Sequence, residues 1–433
     1  MKVGFVSLGC SKNLVDTEIC IGLFKKAKFE VVNNPNEADI IVVNTCGFIE
    51  SAKQEAINTL LEMSEYKEKA KCKYLIAMGC LVQRYKNELE KLIPEVDLFL
   101  SLDDYSNMWN IISDLINQKK SSNTFDYMDR IVSTGNTTAY LKIAEGCSNR
   151  CTYCAIPMIR GPYISRKIED IIKEAKMLVK SGYKELIIIA QDTTKYGIDL
   201  YGEKKLAYLL DELCKIEGVK WIRFLYSYPE SITDELIEVV KRNDKICNYF
   251  DIPIQHFSNS VLKRMNRQSD SKSIENLIEK IRKEIPEVII RTTLMVGFPG
   301  ETEEDYFELY EFVNKIKFER MGVFKYSKED GTPASKIKNQ VHYKTKETRF
   351  KKLMELQKAI SKIKLEEKIG KEYEAVVDSI TTNGKTLIAR SYMDIPNEDG
   401  VIFIKNNGKI KVGEFVKCII IDSKDYDLIG ILK

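Results

Sequence analysis

The sequence predicts an α/β chain in three parts: a flavodoxin-like parallel sheet, a partial TIM-like (βα)6 barrel and a small C-terminal β-barrel. Three observations carry this. Short β-rich apolar runs alternate with helical segments through 1–115, the order that gives a parallel sheet with helices on its faces. The alternation restarts at 140, and six βα units follow within about 190 residues, as in a barrel of the TIM type. After 370 the helices stop, and short β-rich runs separated by Asn-Gly turns take over.

In chain order, the first part has strands over 3–8, 40–43, 74–78 and 96–100, with helices over about 14–27 and 50–65. Residues 118–137 are polar and rich in Ser, Asn and Thr, and read as a linker or crossing segment. The barrel strands fall at 140–144, 186–190, 221–226, 249–253, 288–295 and 321–326. The first helix between them carries Ile168, Ile171, Ile172, Ala175, Leu178 and Val179 on one face. A long charged helix spans 343–368, and β-rich runs follow at 373–377, 386–389, 401–404 and 415–421. The expected domains are 1–117, 133–363 and 366–433.

The chain has 433 residues, 44 % of them hydrophobic and 30 % charged, an ordinary globular composition. A net charge of +3 gives no bulk polyanion-binding character. No apolar run approaches the ~18 residues of a membrane span, and the N-terminus reads as a strand and not as a signal peptide. Eleven cysteines in a chain this long point to a reducing cytoplasm with metal-bound thiolates more than to a disulfide scaffold. With only His256 and His342 available, mixed Cys/His zinc sites are disfavoured, while an all-Cys zinc site stays open.

The most informative run is Glu145-Gly146-Cys147-Ser148-Asn149-Arg150-Cys151-Thr152-Tyr153-Cys154. Three thiolates spaced C-x₃-C-x₂-C on one loop suit a 4Fe–4S cluster, which normally takes four, so one iron would stay open. A structural zinc site or a redox C-x₂-C pair is the alternative. The loop follows the first barrel strand, and chemistry in such barrels sits at strand C-terminal ends. Other strand ends carry Gln191-Asp192-Thr193-Thr194, Gln255-His256, and Val296-Gly297-Phe298-Pro299-Gly300-Glu301. The glycines there either admit a ligand or simply turn the chain. His256 reads as structural or catalytic.

A second triad is dispersed. Cys10, Cys46 and Cys80 each end an apolar strand, so a parallel sheet would bring them to one edge, where ligands bind. They form a metal site or are buried free thiols. Gly9, Gly47 and Gly79 beside them are expected to leave room for a cluster. Cys20, Cys72, Cys214, Cys247 and Cys418 lack this placement and read as ordinary cysteines.

The Cys147/Cys151/Cys154 run resembles the motif of radical S-adenosylmethionine (AdoMet) enzymes. Two cysteine triads plus a terminal β-barrel resemble the radical AdoMet methylthiotransferase family over essentially the whole chain. The resemblance implies two 4Fe–4S clusters, on Cys147, Cys151 and Cys154 and on Cys10, Cys46 and Cys80, with a TRAM domain as the terminal barrel. It implies AdoMet contacts at Tyr153, Gln191, Gly297, Gly300 and Glu301, and no catalytic side chain beyond the cluster ligands. It also implies an electron donor such as flavodoxin or ferredoxin, and a sulfur donor.

Within the family, Gly9-Cys10-Ser11-Lys12-Asn13-Leu14-Val15-Asp16-Thr17-Glu18 and Ala190-Gln191-Asp192-Thr193-Thr194-Lys195-Tyr196-Gly197 are similar to the branch that methylthiolates the β-carbon of an aspartate of ribosomal protein uS12. Ala389-Arg390-Ser391 and Asp399-Gly400 agree, whereas Ile395-Pro396-Asn397-Glu398 departs from that branch. From 366 to 433 there are 12 acidic and 10 basic residues, a balance that suits a basic protein partner better than RNA. The alternatives are a tRNA adenosine methylthiotransferase and, in a different class, a non-catalytic iron–sulfur RNA-binding protein.

Overall fold

The computed structural model describes residues 1–118 and 124–433. Part of the expected linker, 119–123, lies outside the described residues. The chain forms two compact units. One comprises Met1–Ser133, Ala144–Ile164 and Ser327–Ser335, the other Thr134–Ile143, Ser165–Tyr326 and Lys336–Lys433.

The first unit is built on five parallel strands: β1 (Lys2–Ser7), β2 (Glu30–Val31), β3 (Ile40–Thr45), β4 (Tyr74–Gly79) and β5 (Leu98–Leu100), in the order β2-β1-β3-β4-β5. That is the flavodoxin-like order, with its switch point between β1 and β3. β3 is buried at all six positions because helices cover both faces of the sheet. One face packs Phe24, Trp109 and Ile112, and the other Leu60, Leu75 and Val82. The Phe24 and Trp109 rings meet edge-on, 5.5 Å apart. Cys20 and Cys72 belong to these apolar clusters. The two-residue β2 carries no readable pattern and was not anticipated.

The chain then forms β6 (Thr138–Lys142), a strand of the second unit, and returns to the first at β7 (Ala144–Glu145). The cysteine loop leads into the helix Ile156–Arg160 and to β8 (Ile164–Ser165).

In the second unit, β6 pairs with β9 (Glu185–Ile189) and β9 with β10 (Trp221–Phe224), all parallel. β11 (Tyr249–Asp251), β12 (Ile289–Val296) and β13 (Arg320–Lys325) form the other half. A parallel bridge between Ile222 and Ile246 joins the halves, completing the six-strand order. The helix Ile168–Lys180 buries Ile171, Ala175 and Leu178 along the expected face.

The helix Tyr343–Glu366 leads to a closed barrel in the order β14-β15-β16-β18-β17. Its strands are β14 (Glu372–Ile380), β15 (Thr386–Ser391), β16 (Ile402–Lys405), β17 (Phe415–Ser423) and β18 (Leu428–Leu432). The sequence reading found four of these and missed β18.

The small barrel is fixed to the N-terminal ends of the large barrel's strands. Arg390 donates to Glu185 at the start of β9 (Nη2–Oε2, 2.6 Å), and Arg223 of β10 donates to the Tyr392 carbonyl at 2.7 Å. Tyr249, opening β11, donates to Asp399 at 2.6 Å, and Arg320, opening β13, donates through Nε to Asp394 at 3.0 Å. Arg291 of β12 reaches Glu398 at 2.6 Å. Three acids of the small barrel, Asp394, Glu398 and Asp399, are thus spent on arginines of the large one. Setting them and Arg390 aside leaves nine acidic against nine basic residues, so the acidic balance is absorbed by contacts to the large barrel. Among the described residues, no helix is long and apolar enough to cross a membrane.

Candidate active site

In the first unit, Cys10, Cys46 and Cys80 follow the C-terminal ends of β1, β3 and β4 along one sheet edge, beside the β1/β3 switch point. Cys46 and Cys80 are buried and Cys10 is exposed. The three act on one another electrostatically. Burial pushes the Cys46 thiol up and the Cys80 thiol to about 12, against the pull of Arg160.

Asn13, fully buried in the helix Ser11–Lys26, stitches this edge together. Its Nδ2 donates to the carbonyls of Leu8 (3.1 Å) and Thr45 (3.0 Å), which end β1 and β3. Its Oδ1 accepts from Cys80 Sγ at 3.4 Å and from Arg160 Nη2 at 2.6 Å.

The neighbouring glycines act differently from expectation. A Cβ on Gly47 would lie 2.7 Å from Leu81 Cα, and one on Gly79 2.2 Å from Asn44 Oδ1. These two let chain segments pack together and open no space for a ligand. A Cβ on Gly9 would lie 2.9 Å from Cys46 Sγ, so Gly9 lets that thiol approach Cys10's end of the sheet.

The Cys147/Cys151/Cys154 loop lies in the same unit. The Cys147 N–H donates to Gly161 O (3.1 Å) and the Cys154 N–H to Cys151 O (3.0 Å), closing the loop on itself. Arg150 within it takes a left-handed φ of 53°. Such backbone conformations cost ~1–3 kcal/mol and gather at functional sites. Cys147 and Cys151 are buried, Cys154 and Tyr153 half-buried, and burial pushes the Cys154 thiol to about 12.

The two triads are neighbours. Cys80 packs against Ala155, the residue after Cys154, and against Ile159. Arg160 then donates through Nη1 to Glu145 (2.8 Å) and through Nη2 to Asp16 (3.0 Å).

Among the described residues, no three Cys, His, Asp or Glu side chains gather as a holder for a single metal ion. Cubane clusters are held by all-thiolate donor sets, one cysteine to an iron corner. Each triad offers three free cysteines, a donor set that fits a cluster.

In the second unit, Tyr226 (φ 61°), Gln255 (φ 69°) and Gly297 (φ 73°) lie just beyond the C-terminal ends of β10, β11 and β12, all left-handed. Gln191 follows β9 in the same way.

Glu301 ties the glycine loop from behind. Its Oε2 accepts from the N–H groups of Gly297 (2.6 Å) and Phe298 (3.0 Å), and its Oε1 from Arg349 Nη1 (2.7 Å). Burial pushes its carboxyl up to about 7, against Arg349 and the two N–H groups. A Cβ on Gly297 would lie 2.3 Å from Lys346 Cγ, and one on Gly300 3.5 Å from Arg264 Nε.

His256 is fully buried, and burial lowers its pKa to about 3. Its Nδ1 accepts from the Ser258 N–H at 3.1 Å, and its Nε2 stands 3.8 Å from Glu301, beyond hydrogen-bond range. Its imidazole is buried and neutral beside the loop.

Three family models match the chain: the Radical SAM superfamily over 141–313, the uncharacterized protein family UPF0004 over 2–101 and the TRAM domain over 369–432. A protein of Alkaliphilus oremlandii named ribosomal protein uS12 methylthiotransferase RimO is 64 % identical over 433 residues, covering 99 % of this chain and 98 % of the relative. The chain belongs to the RimO family of methylthiotransferases. A RimO protein of Clostridium perfringens is 50 % identical, covering 100 % of this chain and 98 % of its own. Among solved structures, the radical S-adenosylmethionine methyltransferase TsrM of Kitasatospora setae superposes with a TM-score of 0.57 at 11 % identity, over 77 % of this chain and 76 % of that one. It supports the fold alone. The Radical SAM match implies one 4Fe–4S cluster and AdoMet. The tRNA branch is not favoured by these RimO relatives.

The sequence reading gave no role to Arg160, Asp16 or Tyr226. Asn13 and Asp16 stood inside a quoted motif, but their partner lies more than 140 residues away. Tyr226 has no sequence signal, since its strain exists only in the folded backbone.

Proposed function

We propose that this chain methylthiolates the β-carbon of an aspartate in ribosomal protein uS12, working in the cytoplasm. The carrying observation is full-length similarity to RimO proteins, joined to two adjacent all-thiol triads in one compact unit. Cys147, Cys151 and Cys154 hold the 4Fe–4S cluster of the AdoMet site, and Cys10, Cys46 and Cys80 hold a second one. When bound, the two clusters and AdoMet supply reductive sulfonium cleavage, hydrogen abstraction and delivery of the methylthio group.

The chain's own residues fix where this happens. Asn13 ties the ends of β1 and β3 together beside Cys80, and the loop closure at Gly161 sets the other triad. Glu301 pins the Gly297–Gly300 backbone. Tyr153, Gln191, Gly297, Gly300 and Glu301 are carried as AdoMet contacts on the family resemblance. Glu301 would act there through the backbone it holds. Division into domains at 1–117, 133–363 and 366–433 belongs to the same reading, as do an electron donor such as flavodoxin or ferredoxin and a sulfur donor.

The test is anaerobic reconstitution with AdoMet, a reductant and a uS12 loop peptide. The peptide should gain ~46 Da, the exchange of H for SCH₃, because the cofactors carry the hard chemistry and a short substrate suffices. Modified tRNA with unmodified uS12 would overturn the assignment.

A further inference from the structure

Arg160 ends the helix Ile156–Arg160, six residues beyond Cys154, yet its charge is delivered at the other triad. Its side chain is only 2 % exposed. Burying a guanidinium costs several kcal/mol unless partners compensate it. Nη1 is held by Glu145, on the approach to Cys147, and Nη2 by Asp16 and Asn13. The same guanidinium acts electrostatically on all three thiols of the sheet edge, Cys10, Cys46 and Cys80, and shares Asn13 Oδ1 as an acceptor with Cys80 Sγ. Lys12, itself buried, adds a second cation beside Cys10. Tyr105 lies in the same electrostatic neighbourhood as Asp16, Arg160 and Cys80, and among the described residues its buried hydroxyl has no hydrogen-bond partner. Two cations, Arg160 and Lys12, thus stand beside these thiols, with Asp16 and Glu145 as counter-charges to Arg160, and the cations are suited to an anionic group held there.

We infer that Arg160 is a positioning residue shared by the two cysteine sites: the helix that follows the Cys147/Cys151/Cys154 loop places its guanidinium against the Cys10/Cys46/Cys80 edge, where it offsets the negative charge of the group held there and raises that group's reduction potential. The reasoning is electrostatic. Reduction adds negative charge, a fixed cation favours the more negative state, and cluster potentials follow local charge and hydrogen bonds to sulfur. Asp16 is the counterweight that moderates this cation. The inference rests on the reading that Cys10, Cys46 and Cys80 hold a second 4Fe–4S cluster.

The test uses the full chain with Cys151→Ala, which removes a ligand of the AdoMet-site cluster and leaves the second as the paramagnetic signal. Iron is counted, and the midpoint potential is read by an EPR-monitored redox titration. Arg160→Gln should shift the midpoint downward, Arg160→Lys should restore most of the shift, and Asp16→Asn should move the midpoint upward. A structural defect alone would not give shifts of opposite sign. Unchanged midpoints in both Arg160→Gln and Asp16→Asn, with about four irons still bound per chain, would overturn the inference. If Arg160→Gln does not take up the cluster, Asp16→Asn decides: an upward shift supports the inference, and no shift overturns it. A Cys151→Ala protein that binds no iron would instead overturn the two-cluster reading, and the inference with it.

Discussion

Replacing Arg390 by Met tests how the small barrel is held. Arg390 is almost wholly buried and donates to both carboxylate oxygens of Glu185, to both of Asp378, to Thr138 Oγ1 and to the Asp394 carbonyl. Without it, the buried Glu185 keeps only the 3.3 Å contact from Arg223 Nε and the Thr138 hydroxyl. Removing one partner of a buried ion pair costs ~3–5 kcal/mol, because the other charge is stranded. The second unit has about 270 residues, so at ~2.1 cal/mol/K per residue this cost lowers its unfolding midpoint by about 5–9 °C.

The penalty depends on pH. Burial by itself would raise the Glu185 carboxyl, but Arg390 and Arg223 hold it below its ordinary value. Depressed carboxyls lend stability above their unfolded pKa and lose it as pH falls. The wild type therefore gains most from the pair near neutrality, and the gap to the variant should narrow in acid. Glu185→Gln combined with Arg390→Met should recover at least half of the loss, since no charge is then stranded. Scanning calorimetry with limited proteolysis at the helix Tyr343–Glu366 reads both effects. An Arg390→Met midpoint unmoved at pH 7 would refute the reasoning.

Further expectations follow from the sites. Cys151→Ala should abolish 5′-deoxyadenosine formation and lower iron from about eight to about four per chain; undiminished formation would remove Cys151 from the ligand set. Cys46→Ala should keep some AdoMet cleavage while losing the methylthiolated product, read by mass spectrometry, and Cys72→Ala, in an apolar cluster, should match wild type. Gly146→Ala should lose the same iron as Cys151→Ala, because Gly146 has φ 70° and its Cβ would lie 2.0 Å from the Pro162 carbonyl oxygen. Asp305 accepts from Ser258, Ser260, the Thr302 N–H and Arg264, which together outweigh burial and hold its carboxyl below its ordinary value. Its contribution is therefore present above about pH 4 and fades as pH falls, so Asp305→Asn should cost ~1–3 kcal/mol at pH 7 and progressively less in acid, read by urea unfolding.

The element order was legible because its cause is local. The stripe on Ile168–Lys180 repeats at the helical period, and Ile40–Thr45 is a short, β-rich continuous run of the kind a strand covered on both faces carries. Cys10, Cys46 and Cys80 could be grouped because strand ends in a parallel sheet share an edge. What stayed hidden depends on contacts between distant segments. β2, with two residues, offers no period to detect. The real task of Gly47 and Gly79 is set by Leu81 and Asn44, which no glycine pattern announces. The acidic balance of the small barrel pointed to the protein partner that the RimO relatives favour, but a charge count does not reveal that Asp394, Glu398 and Asp399 face arginines of the large barrel.

The attachment of the small barrel sets a length scale for recognition. It grips the beginnings of the large barrel's strands, whereas reactions on such barrels take place at the strands' far ends. Along the eight-residue β12, at ~3.3 Å per residue, those two levels are separated by ~26 Å. A loop peptide that binds at the reacting end would not reach the other. An intact ribosomal subunit is large enough to span both. Substitutions on the outer face of the small barrel should therefore leave turnover of the peptide untouched and weaken only the assembled particle, turning substrate size itself into a readout of what that domain is for.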